Sequence, residues 1–261
     1  MKDALSVITI CFNNLEELVR TCDSVDRQTT LPDEHLIIDG SVDKEILNWL
    51  QTIPQPAYRK WIHERDNGIS DAFNKGVKKS TGTIIQLLNS GDVYYDNGVL
   101  QKVAAVFENN ESLSWCHGKL NLFRGRHWVI IGKPFEKEKL YRGMRSTFHP
   151  TMFVKKELFE KHGFFDTSLK IAMDYDFLIR ISNEKFEFLN HPLVSFDPGG
   201  VSNSNYLGSL DETKKCYEKY FGKSRKLGLW QLRLKFLHYL LSSFAGKWLY
   251  SVKKRMKLEN I

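Results

Sequence analysis

Acidic side chains follow apolar, strand-like segments in this chain of 261 residues, and one case is especially clear. The apolar run at residues 83–88 ends in Asn89-Ser90-Gly91-Asp92, which favours a turn and leaves a carboxylate at its end. In α/β proteins, ligands bind at the C-terminal ends of buried strands. A carboxylate there can hold a divalent cation, Mg²⁺ or Mn²⁺, which in turn binds phosphate oxygens. The alternative is an ordinary strand-to-helix turn in which Asp92 caps the helix.

Polar residues follow the other strand-like segments of the N-terminal part in the same way. We expect Asn13, Asp39, residues 64–68 and residues 89–92 to surround one crevice, because parallel strands end at the same edge of a sheet. Dispersed acids at such an edge favour a nucleotide diphosphate bound with a divalent cation, or a single Asp bonded to a ribose hydroxyl or a base N–H. The sequence contains no GxGxxG, GxxxxGK, HExxH or GxSxG motif. This argues against a dinucleotide-binding fingerprint, a phosphate-cradling P-loop, a zinc-protease helix and the serine nucleophile of an α/β-hydrolase.

A second pair of acids, Asp174 and Asp176, lies at the start of a helix-like segment, residues 171–180. Positions i and i+2 of a helix point about 200° apart, so only one of the two can face a cleft. Asp174 follows an apolar run and is the better candidate for the inward-facing acid. The alternative is that Asp174 caps the helix while Asp176 and Arg180 form a surface ion pair, worth roughly 0.2–0.5 kcal/mol.

The elements that must position these residues alternate strand and helix up to residue 88, which predicts a mainly parallel sheet with helices on both faces. Shorter strands follow and predict a mixed extension of the sheet. We expect one continuous domain at 1–222 and a helical tail at 223–261. Strands are expected at residues 6–12, 35–38, 58–63, 83–88, 113–116, 120–123, 128–131, 151–154 and 186–189.

The tail differs from the rest of the chain in charge. From Lys219 onward eleven Lys and Arg residues stand against one acid, Glu259, whereas the remainder is slightly acidic. Apolar residues recur there at helical spacing, which predicts one or two basic amphipathic helices. Such a helix favours attachment to an anionic membrane surface. The alternative is packing on the main domain or on a second copy of the chain, as a homodimer.

No segment has the roughly 18 consecutive apolar residues of a membrane span, and the N-terminal residues do not resemble a signal peptide. The four cysteines have neither the spacing of zinc ligands nor that of a disulfide framework. We therefore expect a cytoplasmic protein, on the inner face of the plasma membrane if the tail binds lipid.

Several segments resemble family 2 glycosyltransferases, in that family's order and over about residues 5–205. The closest match is Glu64-Arg65-Asp66-Asn67-Gly68-Ile69-Ser70-Asp71-Ala72-Phe73-Asn74-Lys75-Gly76. The turn at 89–92 resembles the family's metal-binding DxD-type turn. The other matching segments are Ser6-Val7-Ile8-Thr9-Ile10-Cys11-Phe12-Asn13, Ile37-Ile38-Asp39-Gly40-Ser41-Val42-Asp43, His149-Pro150-Thr151-Met152-Phe153 and Ala172-Met173-Asp174-Tyr175-Asp176-Phe177-Leu178-Ile179-Arg180.

The resemblance implies a glycosyltransferase A fold that binds a nucleotide sugar and inverts the anomeric carbon. Residues 1–95 would then be the nucleotide-binding half and residues 96–222 the acceptor half. Asp39 would contact uracil or ribose, Asp71 the ribose or pyrophosphate side, Asp92 the cation, and Asp174 would be the general base. Further donor contacts are expected from Asn13, Asp66, Asn74, Ser90 and Gly91, and acceptor contacts from His149, Asp176 and Arg180.

Three departures from the family pattern concern its acids. The Asp39 loop is one residue shorter than usual, Ser90 replaces the first acid of the metal turn, and Met173 stands where Glu is common. The expected metal ligand and base are both kept, so an active enzyme is predicted. The alternative for His149 is a packed loop residue. Residues 199–202 are expected to form either a loop that closes over the donor or the acceptor, or a simple turn.

The predicted function is metal-assisted transfer, most readily from a UDP-sugar, to a glycan or lipid-linked acceptor in cell-surface polysaccharide synthesis, such as capsule or O-antigen. The alternatives are a non-catalytic nucleotide-sugar-binding module and a nucleic-acid-binding protein that uses the basic tail. The second alternative lacks support from the acidic main domain, so no nucleic-acid partner is expected.

Overall fold

The structure is a computed structural model that describes residues 3–124, 127–196 and 205–243. The loop predicted at 199–202 and the end of the tail, 244–261, lie outside the described residues. The described strands form one nine-stranded sheet that runs through both halves of the chain.

The N-terminal half alternates strands and helices, as predicted. Its elements are β1 (Leu5–Cys11), α1 (Leu15–Asp26), β2 (Glu34–Asp39), α2 (Glu45–Thr52), β3 (Arg59–His63), α3 (Ile69–Lys79) and β4 (Ile84–Leu87). β1 pairs in parallel with β2 on one side and with β4 on the other, and β2 pairs in parallel with β3. The register places Cys11 opposite Asp39 and Asp39 opposite His63. The ends of the first three strands are therefore level at one edge of the sheet.

The C-terminal half adds strands of mixed direction, so that the order becomes β3-β2-β1-β4-β8-β6-β9-β5, with β7 beside β6. β8 is antiparallel to β4 and β6, whereas β9 is parallel to β6. The elements are β5 (Val93–Tyr94), α4 (Val99–Glu108), β6 (Trp115–Arg124), β7 (His127–Ile131), β8 (Met152–Lys155), α5 (Glu157–His162), α6 (Met173–Arg180), β9 (Phe186–Phe196), α7 (Tyr206–Phe221) and α8 (Arg225–Ser242), with 3₁₀ turns at Lys137–Arg142 and His149–Thr151.

Two strand predictions in this half are wrong. The segments 113–116 and 120–123 were expected as separate strands, but the second half of the first segment and the whole of the second belong to the single strand β6. Gly118 allows this, because a Cβ there would lie only 2.5 Å from Leu193 Cγ on the adjacent β9. β9 is also longer than the predicted 186–189, since its pairing with β6 continues past an irregularity at Gly118 and Lys119.

Side chains of β1 enter two parts of the core in alternation. Ile8 belongs to the hydrophobic cluster that contains Phe73 of α3, and Val7 to the cluster that contains Val103 and Phe107 of α4. Each fully buried aliphatic or aromatic side chain contributes about 1.5–3 kcal/mol. Helices therefore cover the sheet on both faces, as predicted for a strand of continuous apolar residues.

The tail begins as a helix packed on the main domain. α8 contacts the 3₁₀ turn Lys137–Arg142 and α7, and α7 in turn contacts α6. Leu227, Gln231 and Leu234 of α8 are buried against these elements. None of the described helices is long and apolar enough to cross a membrane.

The close packing of α3 on β1 can be tested at Gly76. An Ala Cβ at this position would lie 2.4 Å from Ile8 Cγ2 and 3.3 Å from Ile38 Cγ1. Overpacking costs about 1–3 kcal/mol, which exceeds the gain of up to about 1 kcal/mol from the higher helix propensity of Ala. Gly76→Ala should therefore lower the urea midpoint of unfolding.

Gly228→Ala in α8 is the matched control. No atom lies within 4 Å of the Cβ position there, so the same change should stabilise the protein by up to about 1 kcal/mol. Shifts of the same sign in both variants would contradict close packing at Gly76.

Candidate active site

The ends of β1, β2 and β3 are joined by a buried carboxylate. Asp39 is fully buried; its Oδ1 accepts the Ser41 N–H at 3.0 Å and its Oδ2 accepts a hydrogen bond from His63 Nδ1 at 2.6 Å. The Asn13 N–H donates to Ser41 Oγ at 2.9 Å, with Asn13 in the left-handed region at φ 50°. Asp39 therefore orders the loops at this edge, and His63 is the more exposed of the two side chains.

The sequence did not identify His63 as a site residue. Its side chain is 25% exposed, and its Nε2 has no partner among the described residues. The signal that was available is its register position, since the last residue of a parallel strand beside Asp39 must lie at the ligand-binding edge.

The loop between β3 and α3 brings two more predicted acids to this edge. Asp66 Oδ1 accepts the Gly68 N–H at 2.8 Å, and its Oδ2 lies where a Cβ at Gly40 would be, only 1.9 Å from that position. Asp71 Oδ2 accepts the Asn67 N–H at 2.9 Å. Both bonds lie within the loop and the start of α3 and shape this segment, and the close approach to Gly40 places Asp66 next to the end of β2, as the topology predicts.

Asn74 has a different environment from the other predicted donor contacts. Its amide donates to the Phe165 carbonyl at 2.9 Å and accepts the Phe165 N–H at 2.9 Å, and the side chain is buried. Asn74 thus joins α3 to the segment before α6. Donor binding by Asn74 stays a prediction that these contacts do not favour.

Asp92 is buried, with 3% exposure, and its Oδ2 has no hydrogen-bond partner among the described residues. Burial raises its pKa to about 7, although hydrogen bonds from Asn89 act in the opposite direction. Ser90 Oγ in the same turn is also buried without a partner. Thr21 of α1 holds the turn, because its hydroxyl donates to the Asp92 carbonyl at 2.9 Å and accepts the Gly91 N–H at 2.9 Å.

An unpaired buried carboxylate oxygen fits a cation that takes its other ligands from elsewhere. The described residues contain no group of three or more His, Cys, Asp or Glu residues that could hold a metal ion by themselves. Mg²⁺ is commonly held by one or two carboxylates together with substrate phosphates and water. Asp92 is thus compatible with a cation that binds together with a diphosphate.

Asp174 lies in the first turn of α6 and borders a narrow, mostly apolar cavity of about 20 Å³. A cavity of this size has room for about one water molecule or hydroxyl group. Burial raises the pKa of Asp174 to about 6, against an opposing hydrogen bond from the Tyr175 N–H at 2.7 Å. The predicted inward orientation of Asp174 agrees with this position, and Ala172 rather than Asp174 is the N-cap of α6.

His149 borders the same cavity as Asp174. Its ring packs on Phe73, with 5.1 Å between ring centroids, and its Nε2 is buried without a partner. Burial lowers the pKa of His149 to about 4, so the ring is neutral at physiological pH. The predicted base, Asp174, and one of the predicted acceptor-side residues, His149, therefore line the same cavity.

Asp176 and Arg180 lie on another side of α6. The alternative of a surface ion pair is wrong, because the Asp176 side chain is only 1% exposed and that of Arg180 only 13%. Asp176 accepts hydrogen bonds from Arg180 Nε at 2.9 Å and from the Tyr220 hydroxyl at 2.9 Å. The pair ties α6 to α7, and neither residue borders the Asp174 cavity. Acceptor contacts by these two residues stay predictions that the geometry does not favour.

Glu212 of α7 is a further residue that the sequence did not indicate. Its carboxylate accepts the backbone N–H groups of Lys170, Ile171 and Ala172 at 3.2, 2.8 and 3.0 Å. These bonds hold the segment directly before Asp174. Glu212 was missed because α7 itself was not predicted.

Comparisons with known proteins agree on one family. A sequence model described as "Glycosyl transferase family 2" matches residues 6–163. An uncharacterised glycosyltransferase of Mycobacterium tuberculosis is 31% identical over 230 residues, which are 85% of this chain and 87% of that protein.

Solved structures with low sequence identity share the fold. The mannosyltransferase PcManGT from Pyrobaculum calidifontis, in complex with GDP-Man and Mn²⁺, has a TM-score of 0.65 at 15% identity, over 100% of this chain and 82% of that chain. S. aureus TarS 1-349, in complex with UDP-GlcNAc, has a TM-score of 0.59 at 16% identity, over 82% of this chain and 66% of that chain. The match spans only 44% of the longer TarS chain. The predicted glycosyltransferase A fold is confirmed.

The buried carboxylate of Asp92 should destabilise the metal-free protein at neutral and alkaline pH. Burial raises the pKa of Asp92 from the ordinary 3.8 to about 7, so between these pH values the folded state keeps a proton that the unfolded state has lost. Stability attributable to this group therefore falls as the pH rises through this window, by up to about 4 kcal/mol.

Asp92→Asn removes this charge while keeping the size of the side chain. In buffer with EDTA, the variant should melt at a higher temperature than the wild type at pH 8, and the difference should shrink as the pH falls towards 4. A variant that is less stable than the wild type at pH 8 would contradict an unpaired carboxylate at this position.

Proposed function

Because the chain belongs to glycosyl transferase family 2, we propose that it transfers a sugar with inversion from a nucleotide diphosphate, preferentially UDP, to a hydroxyl of a glycan or lipid-linked acceptor. The observation that carries this proposal is the arrangement along β4. Ile85 and Leu87 of β4 line the Asp174 cavity, and the turn that ends in Asp92 follows directly. One strand thus connects an acid suited to proton transfer with an acid suited to a diphosphate-bound cation.

On the donor side, the nucleoside would bind at the ends of β1–β3, where His63 and Asp66 lie beside the buried Asp39. Asp92 would hold Mg²⁺ or Mn²⁺, which offsets the charge on the leaving diphosphate when bound. The cation is supported by the free Oδ2 of Asp92 and by the Mn²⁺ in the complex of PcManGT. UDP is supported by the complex of TarS, whereas PcManGT was solved with GDP-Man.

On the acceptor side, Asp174 would act as the general base. Its carboxylate accepts the proton of the acceptor hydroxyl, whose oxygen then bonds to the anomeric carbon while the bond to the diphosphate breaks on the opposite face. A pKa of about 6 leaves Asp174 ionised at neutral pH and yet more basic than an exposed Asp, which suits this role. His149, neutral and beside the cavity, would help to position the hydroxyl.

Asp174→Asn should lower the transfer rate by about 10²–10⁴-fold while leaving donor affinity unchanged, because the amide cannot accept the proton. Transfer can be followed as nucleotide release with UDP-glucose, UDP-N-acetylglucosamine or GDP-mannose and octyl glycosides in the presence of Mn²⁺. For the wild type, the rate should fall about tenfold per pH unit below pH 6, since the base becomes protonated.

Asp92→Ala separates the two halves of the proposal. It should abolish the Mn²⁺-dependent part of donor binding in a thermal-shift titration, whereas Asp174→Asn should keep that part. Wild-type transfer by Asp174→Asn would overturn the base assignment. Donor binding without transfer by the wild type, with every acceptor tried, would favour the binding-module alternative.

We also propose that α8 attaches the enzyme to an anionic membrane surface. Leu229, Leu232 and Phe236 lie on one face of α8 at spacings of three and four residues, and each is more than 60% exposed. The same helix carries Arg225 and Lys226 at its N-terminus. Apolar side chains and basic residues on one exposed helix match the chemistry of an anionic lipid surface, where each basic residue contributes about 1 kcal/mol.

Leu232→Glu/Phe236→Glu places two acids on this face without touching the buried residues of α8. The variant should lose sedimentation with phosphatidylglycerol vesicles and keep its melting temperature, and wild-type binding should weaken as the salt concentration rises. Unchanged sedimentation would overturn the membrane assignment. If the wild type is a dimer by light scattering and the variant a monomer, the face is a dimer interface instead.

A further inference from the structure

A second cavity, of about 260 Å³, lies beside α6 and is lined mainly by residues 133–147. Its volume is slightly below the roughly 300–1,000 Å³ of typical ligand pockets, which suits a compact group rather than a whole nucleotide sugar. Its wall includes the apolar residues Phe135, Leu140 and Leu178. Most of the charged residues in its lining are basic.

Four basic residues line this cavity together with one acid, Glu136. Glu136 is already paired, because Lys139 Nζ donates to its Oε1 at 2.7 Å. Lys133, Arg142 and Arg145 have no carboxylate partner in the part of the chain that the structure describes. The cavity therefore concentrates positive charge that no side chain of the described protein neutralises.

Trp230 of α8 contacts three guanidinium groups, two of which belong to the cavity-lining residues Arg142 and Arg145. The Cζ atoms of Arg142, Arg145 and Arg233 lie 5.2, 5.7 and 5.3 Å from the centroid of its ring. Cation–π attraction of this kind holds the guanidinium groups close to the ring. Guanidinium groups held side by side are the usual means of binding phosphate oxygens through paired N–H groups.

Thr147 is an independent indication of a ligand. Thr147 lines the cavity and is only 1% exposed, and its hydroxyl has no hydrogen-bond partner among the described residues. An unsatisfied buried hydroxyl costs stability, and a bound anion would remove this cost by accepting a hydrogen bond from it.

The position of the cavity relates it to the acceptor. Leu178, in its wall, follows Asp174 by one turn of α6, a rise of about 6 Å. Thr147 lies two residues before His149, and His149 borders the Asp174 cavity. The hydroxyl of Tyr175 donates to the Leu140 carbonyl at 2.6 Å and so fixes the wall to α6. A group bound in this cavity would lie next to the hydroxyl that Asp174 deprotonates.

From these observations we infer that the cavity bounded by Arg142, Arg145 and Thr147 binds a phosphate or diphosphate group of the acceptor. The inference rests on the proposed transfer function and narrows its substrate class to hydroxyl acceptors that carry a phosphate ester near the accepting sugar. A lipid-linked sugar diphosphate has this chemistry. The headgroup of a membrane phospholipid is another source of the same phosphate chemistry.

Pyrophosphate is the probe for the cavity itself, titrated by calorimetry in EDTA so that no cation bridges it to Asp92. Arg142→Gln/Arg145→Gln should weaken binding at least tenfold, and Thr147→Val should weaken it while leaving the melting temperature unchanged or higher. Lys214→Gln/Lys215→Gln on the exposed side of α7 makes the same change in net charge and should bind as the wild type. Equal affinity in all these proteins would overturn the inference.

The acceptor assignment is tested with two synthetic acceptors, a monosaccharide linked to farnesyl diphosphate and the corresponding uncharged octyl glycoside. Arg142→Gln/Arg145→Gln should raise KM for the diphosphate acceptor at least tenfold and leave KM for the octyl glycoside unchanged. If this variant instead loses binding to phosphatidylglycerol vesicles while its KM for the diphosphate acceptor is unchanged, the cavity binds a membrane headgroup and the acceptor assignment is overturned.

The two proposals fail separately in these experiments. If the wild type transfers no sugar but binds pyrophosphate through Arg142 and Arg145, the transfer function fails and the anion site stands without its acceptor. If transfer proceeds with both acceptors and neither KM depends on these arginines, the transfer function stands and the anion site fails.

Discussion

The site depends on β1 being paired on both edges and buried on both faces. Its partners β2 and β4 are parallel to it, so the turns that follow these strands emerge at one edge of the sheet. The close approach of α3 at Gly76 fixes the helix that carries Asp71 over the same edge. Packing of β1 therefore determines where the predicted donor-binding residues lie, although its apolar core side chains take no part in binding or catalysis in the proposed mechanism.

Two carboxylates remain incompletely compensated within this well-packed frame. Burial raises the pKa of Asp92 to about 7 and that of Asp174 to about 6, whereas buried Asp39 and Asp176 are each bonded on both oxygens. A buried carboxylate oxygen without a hydrogen-bond partner among the described residues, such as Oδ2 of Asp92, costs the folded protein stability. Asp39 and Asp176 therefore have a structural role, whereas Asp92 and Asp174 are the acids suited to binding a cation or accepting a proton.

The N-terminal half could be predicted from the sequence because β1, β2 and β4 contain short apolar runs rich in β-branched residues, and because a turn and an amphipathic helix follow each of the first three strands. Gly118, by contrast, interrupts the apolar pattern of β6 and therefore indicates a loop in the sequence. The reason for a glycine within this strand is the close approach of Leu193 on the neighbouring strand, which the sequence does not show. Asp176 looked like a surface partner of Arg180, since the residues that bury it belong to α7, which has no clear helical period. His63 was missed because its importance comes from register, which local pattern does not contain.

The helix α8 could serve two negatively charged partners, the proposed phosphate group of the acceptor and an anionic membrane surface. Its buried side meets the 3₁₀ turn Lys137–Arg142, where Trp230 collects guanidinium groups, and its outer side exposes Leu232 and Phe236. An enzyme whose acceptor is soluble has no need for both features on one helix. A phosphate-bearing lipid acceptor would use both features, because the helix proposed to contact the membrane also holds, through Trp230, the arginines Arg142 and Arg145 that line the proposed phosphate site.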